Sequence, residues 1–244
     1  MLKNKLLYTS IFLFLSLVSF SQKQILDHKD FEIWNTIKMP TISSNGDYVM
    51  YSLLKGEKDS HLKIKNKQGD LMIDHERSEK GKFTYDSRFA VFTIKPWKDN
   101  IVEMKRSKIK KENMPKDSIG IYDINNNKLQ KIANVKSYKL PEKWSNYIAY
   151  TIETSNQKSN LKKKKKKDTS KIKLLKKNNS KNGYPLIIRD LNTSNEDTIP
   201  FVTSYYFAKE GKMLAYSTTG QKNKIKPGVY VKDLKSNLTK HVFD

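Results

Sequence analysis

Four stretches of this chain repeat one pattern, and that repeat restricts the fold more than any other feature. Ile42–Tyr51, Phe83–Phe92, Leu140–Tyr150 and Phe207–Tyr216 each run from an apolar residue through a polar turn into a short strand ending on an aromatic. The turns are Asn45-Gly46, Asp86-Ser87, Ser145-Asn146 and Glu210-Gly211, residue types that tolerate tight-hairpin angles. The strands that follow are rich in Val, Ile, Ala and Tyr and too short for helices. Between them lies a second pattern of strand, polar turn and strand: Leu62–Leu71, Ile119–Lys128, Leu186–Asn195 and Gly228–Asn237. Three of these place an aspartate at the strand end before an aliphatic residue, in Asp123-Ile124, Asp190-Leu191 and Asp233-Leu234.

Together the two patterns make four strands per unit, recurring at intervals of roughly 40 to 65 residues, which is the order of a propeller blade. The sequence therefore predicts an all-β fold, a partial β-propeller of about four four-stranded blades spanning 22–244. A β-sandwich of similar hairpins is the competing architecture; the repeated internal order favours the propeller. Two insertions interrupt the repeat. In Lys95 to Lys116, the spacing of Ile101, Met104, Lys105, Lys108, Ile109 and Glu112 predicts a short amphipathic helix stopped by Met114-Pro115. The second, 155–183, holds Lys162 to Lys167 in one run and reads as a disordered, solvated loop between two strands of the third blade.

The formal net charge of +23 invites a nucleic-acid reading, but its distribution argues against one. The 155–183 insertion alone holds twelve lysines against Asp168. The basic residues are almost all lysine rather than arginine, the residue suited to bidentate phosphate and base contacts. No nucleic-acid partner is expected; binding to an anionic envelope surface through the lysine run is the lesser alternative.

At the N-terminus, Lys3 and Lys5 precede an apolar run from Leu6 to Phe20, with small residues at Ser19 and Ser21. This reads as a secretory signal over 1–21. The run is shorter than the roughly 20 residues a membrane-spanning helix needs, so cleavage is preferred to an uncleaved anchor, and no later stretch is apolar enough to span. The expected location is periplasmic or secreted. The absence of cysteine excludes a disulfide framework and thiolate chemistry.

Sequence motifs for catalysis are missing. No G-x-S-x-G string marks a nucleophile turn, and the glycines form no phosphate-cradling loop. His28, His61, His75 and His241 lack metal-ligand spacing. Asp74-His75-Glu76 is the one local cluster of acids with a histidine, and it reads as an exposed turn, since neighbours on a strand face opposite ways. Trp34, Trp97 and Trp144 read as core or inter-blade packing rather than binding aromatics. No catalytic, cofactor-binding or metal residue is assigned, and no cofactor is expected.

The segments Leu26–Trp34 and Met39–Tyr48, then Met114–Tyr122 and the lysine-rich stretch ahead of Pro185–Leu191, resemble the N-terminal region of exported prolyl oligopeptidase family serine peptidases of Bacteroidetes-type bacteria. The resemblance implies a propeller that caps a C-terminal α/β-hydrolase domain, which carries the nucleophilic serine, the aspartate and the histidine. Nothing in this sequence matches that domain. The expectation is a propeller portion with no chemistry of its own, gating peptide access to an α/β-hydrolase domain outside the chain. Partners would be that domain or peptide substrates. A stand-alone exported scaffold binding protein or envelope is the alternative. Export with cleavage after Ser21 predicts a mature N-terminus at Gln22, which the intact mass of the exported protein reads directly; a retained Met1 would overturn it.

Overall fold

Residues that alternate apolar and polar at period two form strands with one face to bury, and this chain disposes of those faces by stacking small sheets. The computed structural model describes residues 27, 30, 34–153, 178–222 and 224–244. Blade 1 is the antiparallel sheet β1 (Asn35–Ile42), β2 (Tyr48–Lys55), β3 (His61–Asn66) and β4 (Leu71–Glu76). Blade 2 is β5 (Ser78–Phe83), β6 (Phe89–Ile94), β7 (Ser118–Asp123) and β8 (Lys128–Ile132). Blade 3 contains β9 (Val135–Lys139), β10 (Tyr147–Ile152), β11 (Tyr184–Asp190) and the first half of β12 (Glu196–Phe207). Blade 4 takes the second half of β12, then β13 (Met213–Thr218), β14 (Gly228–Asp233) and β15 (Thr239–Phe243). The four-blade propeller reading holds.

Two devices recur at each inner strand. Where the chain crosses from an outer strand to the next inner strand, one residue is left-handed: Arg77 at φ 59°, Asn134 at φ 60° and Phe201 at φ 56°. Such angles are uncommon away from glycine and sharply redirect the chain. Phe201 bends β12 where it changes partner from β11 to β13, so one ribbon serves two blades. Each inner strand also carries one extra residue in its pairing, between Lys38 and Thr41, between Glu79 and Lys82, at Lys136 and at Thr203. A bulge of this kind increases local twist, which suits strands converging on a common axis.

The strand-end aspartates explain their sequence signal. Carboxylates of Asp123, Asp190 and Asp233 accept amide hydrogen bonds from the turns they open, at Asn126 (3.1 Å), Asn192 (2.8 Å) and Lys235 (2.8 Å). The aliphatic residue that follows is buried, and its amide bonds the first turn of its own blade: Ile124 to Arg88, Leu191 to Asn146 and Leu234 to Lys212. Blade 1 has Asn66-Lys67 at this place instead.

Three apolar clusters join successive blades. Met50, Leu62 and Ile64 of blade 1 pack on Ala90, Phe92 and Tyr122 of blade 2. Val91, Ile119 and Ile121 of blade 2 meet Ile148, Tyr150 and Ile187 of blade 3. Ala149, Leu186 and Ile188 of blade 3 meet Leu214, Tyr216 and Leu234 of blade 4. Tyrosine hydroxyls stitch the inner strands as well: Tyr138 donates to the Lys80 carbonyl at 2.6 Å, and Tyr205 hydrogen-bonds Ser137 at 2.9 Å.

The predicted helix is present as α1 (Lys98–Arg106), shorter than the sequence reading; Glu112 lies instead in a single 3-10 turn at Lys111–Asn113. Lys108 adopts φ 54°, a left-handed angle that α-helix cannot continue through. The signal segment 1–21 and 155–177 of the lysine-rich insertion lie outside the described residues. The end of that insertion is ordered, with Asn179 and Gly183 paired through their backbones. Among the described residues, no helix is long and apolar enough to cross a membrane.

A Cβ added at Gly120 would sit 2.6 Å from the ring of Phe92, which is fully buried. Gly120→Ala is therefore expected to cost about 1–3 kcal/mol by overpacking, read as a lowered denaturant midpoint. Burial pushes the Tyr205 hydroxyl up to about 12. An acid whose folded pKa is raised stabilises the fold below its unfolded value, near 10, and loses that contribution as pH climbs toward 12. Tyr205→Phe should accordingly flatten the stability loss between those pH values, as followed by circular dichroism.

Candidate functional site

The four connections between the second and third strand of each blade, residues 56–60, 95–117, 153–183 and 219–227, all emerge on one rim of the arc. The opposite rim is closed by the short first and last turns of each blade. Loops on a rigid scaffold are where binding residues concentrate, so the elaborated rim is the candidate site.

A cavity of about 1150 Å³ opens there between blades 1, 2 and 3, with Leu54, Pro96, Ile101, Ile109, Val135 and Tyr184 among its apolar lining. Helix α1 forms one wall and is fixed from blade 1. Asp59 accepts a hydrogen bond from the Lys98 amide at 3.3 Å, satisfying one of the free N–H groups at the helix start. From blade 2, the Arg77 guanidinium lies 4.2 Å over the Trp97 ring and donates to the Lys95 carbonyl at 3.0 Å.

Charged groups in the cavity divide into paired and unpaired. The Lys95 ammonium sits 2.7 Å from Asp117 and 3.4 Å from Glu79. Burial alone would lower its pKa, but the hydrogen bond it donates to Asp117 and the charges of Asp117 and Glu79 hold it above the ordinary lysine value. Lys116 pairs with Glu153 at 3.4 Å. Lys136 places its ammonium 4.1 Å over the Tyr184 ring. Lys105 and Lys111 also line the cavity, and among the described residues no acid pairs with either. The result is an amphipathic recess with lysine ammoniums to spare, suited to holding an extended chain by its apolar side chains, carbonyls and carboxylates. The ion pairs of Lys95 favour its charged form, which does not suit a base or nucleophile.

The residues nominated from sequence do not converge here. Asp74-His75-Glu76 lies at the end of strand β4 rather than in a turn, because β4 pairs with β3 through Glu76. Its side chains part as alternation requires. Asp74 meets His61 at 2.9 Å and Lys63 at 3.0 Å. His75 turns the other way, against the Phe92 ring, and contacts the Ser78 hydroxyl at 2.7 Å. This serine–histidine contact is structural: Ser78 is fully buried and donates to the Glu76 carbonyl, which leaves no approach for a substrate. Burial, then the charges of Lys131 and Arg77, lower the His75 pKa. His241 stacks on Tyr230 in blade 4 and His28 lies outside the described residues. Among the described residues no group of three His, Asp or Glu could hold a metal ion.

Of the tryptophans, Trp144 packs edge-on to Phe207 and donates to the Ala208 carbonyl at 2.9 Å, as expected of packing. Trp34 and Trp97 differ from that expectation, since both are about half exposed. Each stands outside the sheets, before β1 and before α1, where no second blade covers it. The rim residues Glu79, Lys95, Asp117 and Lys136 carried no local signal, because each belongs to a different strand or strand end; only the bracketing of the 95–116 insertion by Lys95 and Asp117 pointed toward them.

On the opposite rim, Arg189 donates to Glu196 and to Gln130, both at 2.7 Å, and Arg88 donates to Asn192 at 2.6 Å, around a recess of about 230 Å³. The bonds from Arg189 to Gln130 and from Arg88 to Asn192 tie blades 2 and 3 together.

No family model and no curated protein sequence matches the chain. Among solved structures, it is similar to one from a study of two prolyl endopeptidases, with 12% identity and a TM-score of 0.50, covering 88% of this chain and 31% of that one. It is also similar to the β-propeller domain of the Trilobed protease from Pyrococcus furiosus, with 13% identity, a TM-score of 0.47 and coverage of 86% and 58%. Acylaminoacyl peptidase of Pyrococcus horikoshii aligns with 13% identity and a TM-score of 0.46, over 90% of this chain and 34% of that one. The chain thus spans less than two thirds of the length of each of these structures. At these identities the likeness concerns the fold alone, a set of β-propeller blades.

Replacing Lys95 by methionine leaves Glu79 and Asp117 facing each other without their shared cation. The pair is partly exposed and solvent-screened, so the expected loss is about 0.5–1 kcal/mol. Hydrogen exchange should quicken over 96–117 while amides of β13 and β14 keep their protection; uniform protection in the variant would show that the ion pair does not hold the rim.

Proposed function

We propose that this chain is the non-catalytic propeller portion of a prolyl oligopeptidase-like serine peptidase, and that its elaborated rim receives peptide on the way to an α/β-hydrolase domain supplied outside the described residues. The observation that carries the reading is that the second-to-third-strand connections of all four blades leave from one rim, where a cavity between blades 1, 2 and 3 has both apolar lining and unpaired lysines. A gate needs a rigid frame and one adaptable mouth. Short turns on the far rim and packed blade interfaces supply the first, and the long connections supply the second. An extended peptide presents carbonyls, apolar side chains and a terminal carboxylate, which match the lining of the recess.

On this reading the purified chain releases no product from a chromogenic glycyl-proline substrate, and turnover by the chain alone would overturn it. It should bind a fluorescein-labelled, proline-containing peptide with a free C-terminus. Replacing both Lys105 and Lys111 by glutamate is expected to weaken that binding by about fivefold or more, in line with the loss of charge complementarity. An anisotropy titration indifferent to both substitutions would place peptide elsewhere, as a scaffold using its other surfaces requires.

A further inference from the structure

We propose that the recess on the short-turn rim, between blades 2 and 3, is a binding site for a small carboxylate. It lies on the rim opposite the peptide cavity and does not depend on the peptide-gating reading. The recess has a volume of about 230 Å³. That is room for a carboxylate-bearing group and a few waters, each of which takes about 30 Å³. Among the described residues its lining comes from blades 2 and 3 alone, the two blades packed on both sides.

Blade 3 supplies Arg189 as a fixed floor. Its side chain is 8% exposed, and its two terminal nitrogens donate to Glu196 and Gln130, both at 2.7 Å. Glu196 also accepts from the Tyr150 hydroxyl at 2.7 Å, so the guanidinium is held from behind. The other two junctions treat this position differently. In blade 4 the residue before the strand-end aspartate is Lys232, and it meets Asp197 of blade 3 at 2.7 Å. Asp197 pairs with Ile188 as Gln130 pairs with Ile121, so a neutral amide stands between blades 2 and 3 where an acid stands between blades 3 and 4. In blade 2 the residue is Tyr122, which carries no charge and donates to the Asn127 side chain at 2.7 Å. Of the three junctions, this one sets a buried cation against a neutral neighbour.

Blade 2 supplies Arg88, a guanidinium with donors to spare. It lies 4.9 Å over the Phe89 ring and donates to Asn192 at 2.6 Å. Its contact with Asp123, at 3.4 Å, is long for a hydrogen bond, and its Nε is buried with no hydrogen-bond partner. Asp123 is already committed to its turn, accepting from the amide and the side chain of Asn126 at 3.1 and 2.9 Å. Lys128 also lines the recess, and among the described residues no acid pairs with it. Three cations thus face Asp123 and, behind Arg189, Glu196. One positive charge is left over, which a single carboxylate balances. Guanidinium forks match carboxylate oxygens in geometry as well as charge. A doubly charged phosphate would instead bring its second charge against Asp123.

Acetate replacing chloride at constant ionic strength, followed through the amide chemical shifts of the full chain, tests this. Saturable shifts are expected over 123–130 and 189–194, with a dissociation constant on the order of millimolar, as suits so small a ligand. Arg88→Gln should weaken binding about tenfold or more. Gln130→Glu, which puts an acid where blade 3 has Asp197, should abolish it with unchanged far-ultraviolet circular dichroism. Lys212→Gln should leave it intact, since Lys212 holds the place of Arg88 in blade 4, its carbonyl accepting from Leu234 as that of Arg88 does from Ile124. Shifts that never saturate in the parent chain, or that are the same in Arg88→Gln and Gln130→Glu, would overturn the proposal. So would tighter binding of inorganic phosphate than of acetate, which would assign the recess to a different anion.

Discussion

A four-stranded sheet of this size cannot stand alone in water, and the contact of one blade's forward face with the next blade's rear face is what every other element here depends on. Three such contacts account for the buried side chains of the core. Residue choice is graded accordingly. Positions that meet another blade hold Phe, Tyr, Ile and Leu, whereas the rear of blade 1 holds Lys63, Lys65 and Lys67 beside Val49 and Tyr51. Those lysines blunt an exposed sheet in the manner of protected edges, yet the aromatic of the inter-blade pattern has been kept.

Local devices place these faces at the proper angle. Left-handed Arg77, Asn134 and Phe201 turn the chain into each new inner strand, and the extra residue that follows adds twist. Aspartates 123, 190 and 233 then fold the outer turn back, so that the next aliphatic residue plugs the interface behind it. The rim cavity is a by-product of this order. With one rim committed to short turns, the remaining length of chain collects on the other, where α1 is held by Asp59 from below and Arg77 from the side.

Much of this was legible in the sequence because the signals were local. Turn residues, period-two alternation and the Asp-aliphatic pairs lie within ten residues of one another, and they gave the four blades and their strand order. The crossing residues were hidden, because nothing about an arginine or a phenylalanine announces a left-handed backbone; tertiary packing imposes it. The site was less legible still. Lys95, Glu79 and Asp117 meet only when β5, the end of β6 and the residue before β7 are brought side by side. The serine–histidine contact at Ser78 and His75 shows the opposite hazard, since its atoms are close enough for chemistry and its burial removes the use.

The arc of three interfaces also has a consequence for how the molecule comes apart. Among the described residues, blades 2 and 3 are each clasped on two sides and blades 1 and 4 on one, an arrangement in which stability is set between neighbours, as in other stacked arrays. The chain passes from blade 3 to blade 4 as the continuous ribbon of β12, whereas it passes from blade 1 to blade 2 through the single residue Arg77, with the packing of Met50, Leu62 and Ile64 joining those two blades. Because the cavity draws its walls from blades 1, 2 and 3, fraying of blade 1 would open the mouth sideways while the far end of the arc stayed closed. The shape of that mouth is therefore set by how tightly blades 1 and 2 pack, and not by its loops alone.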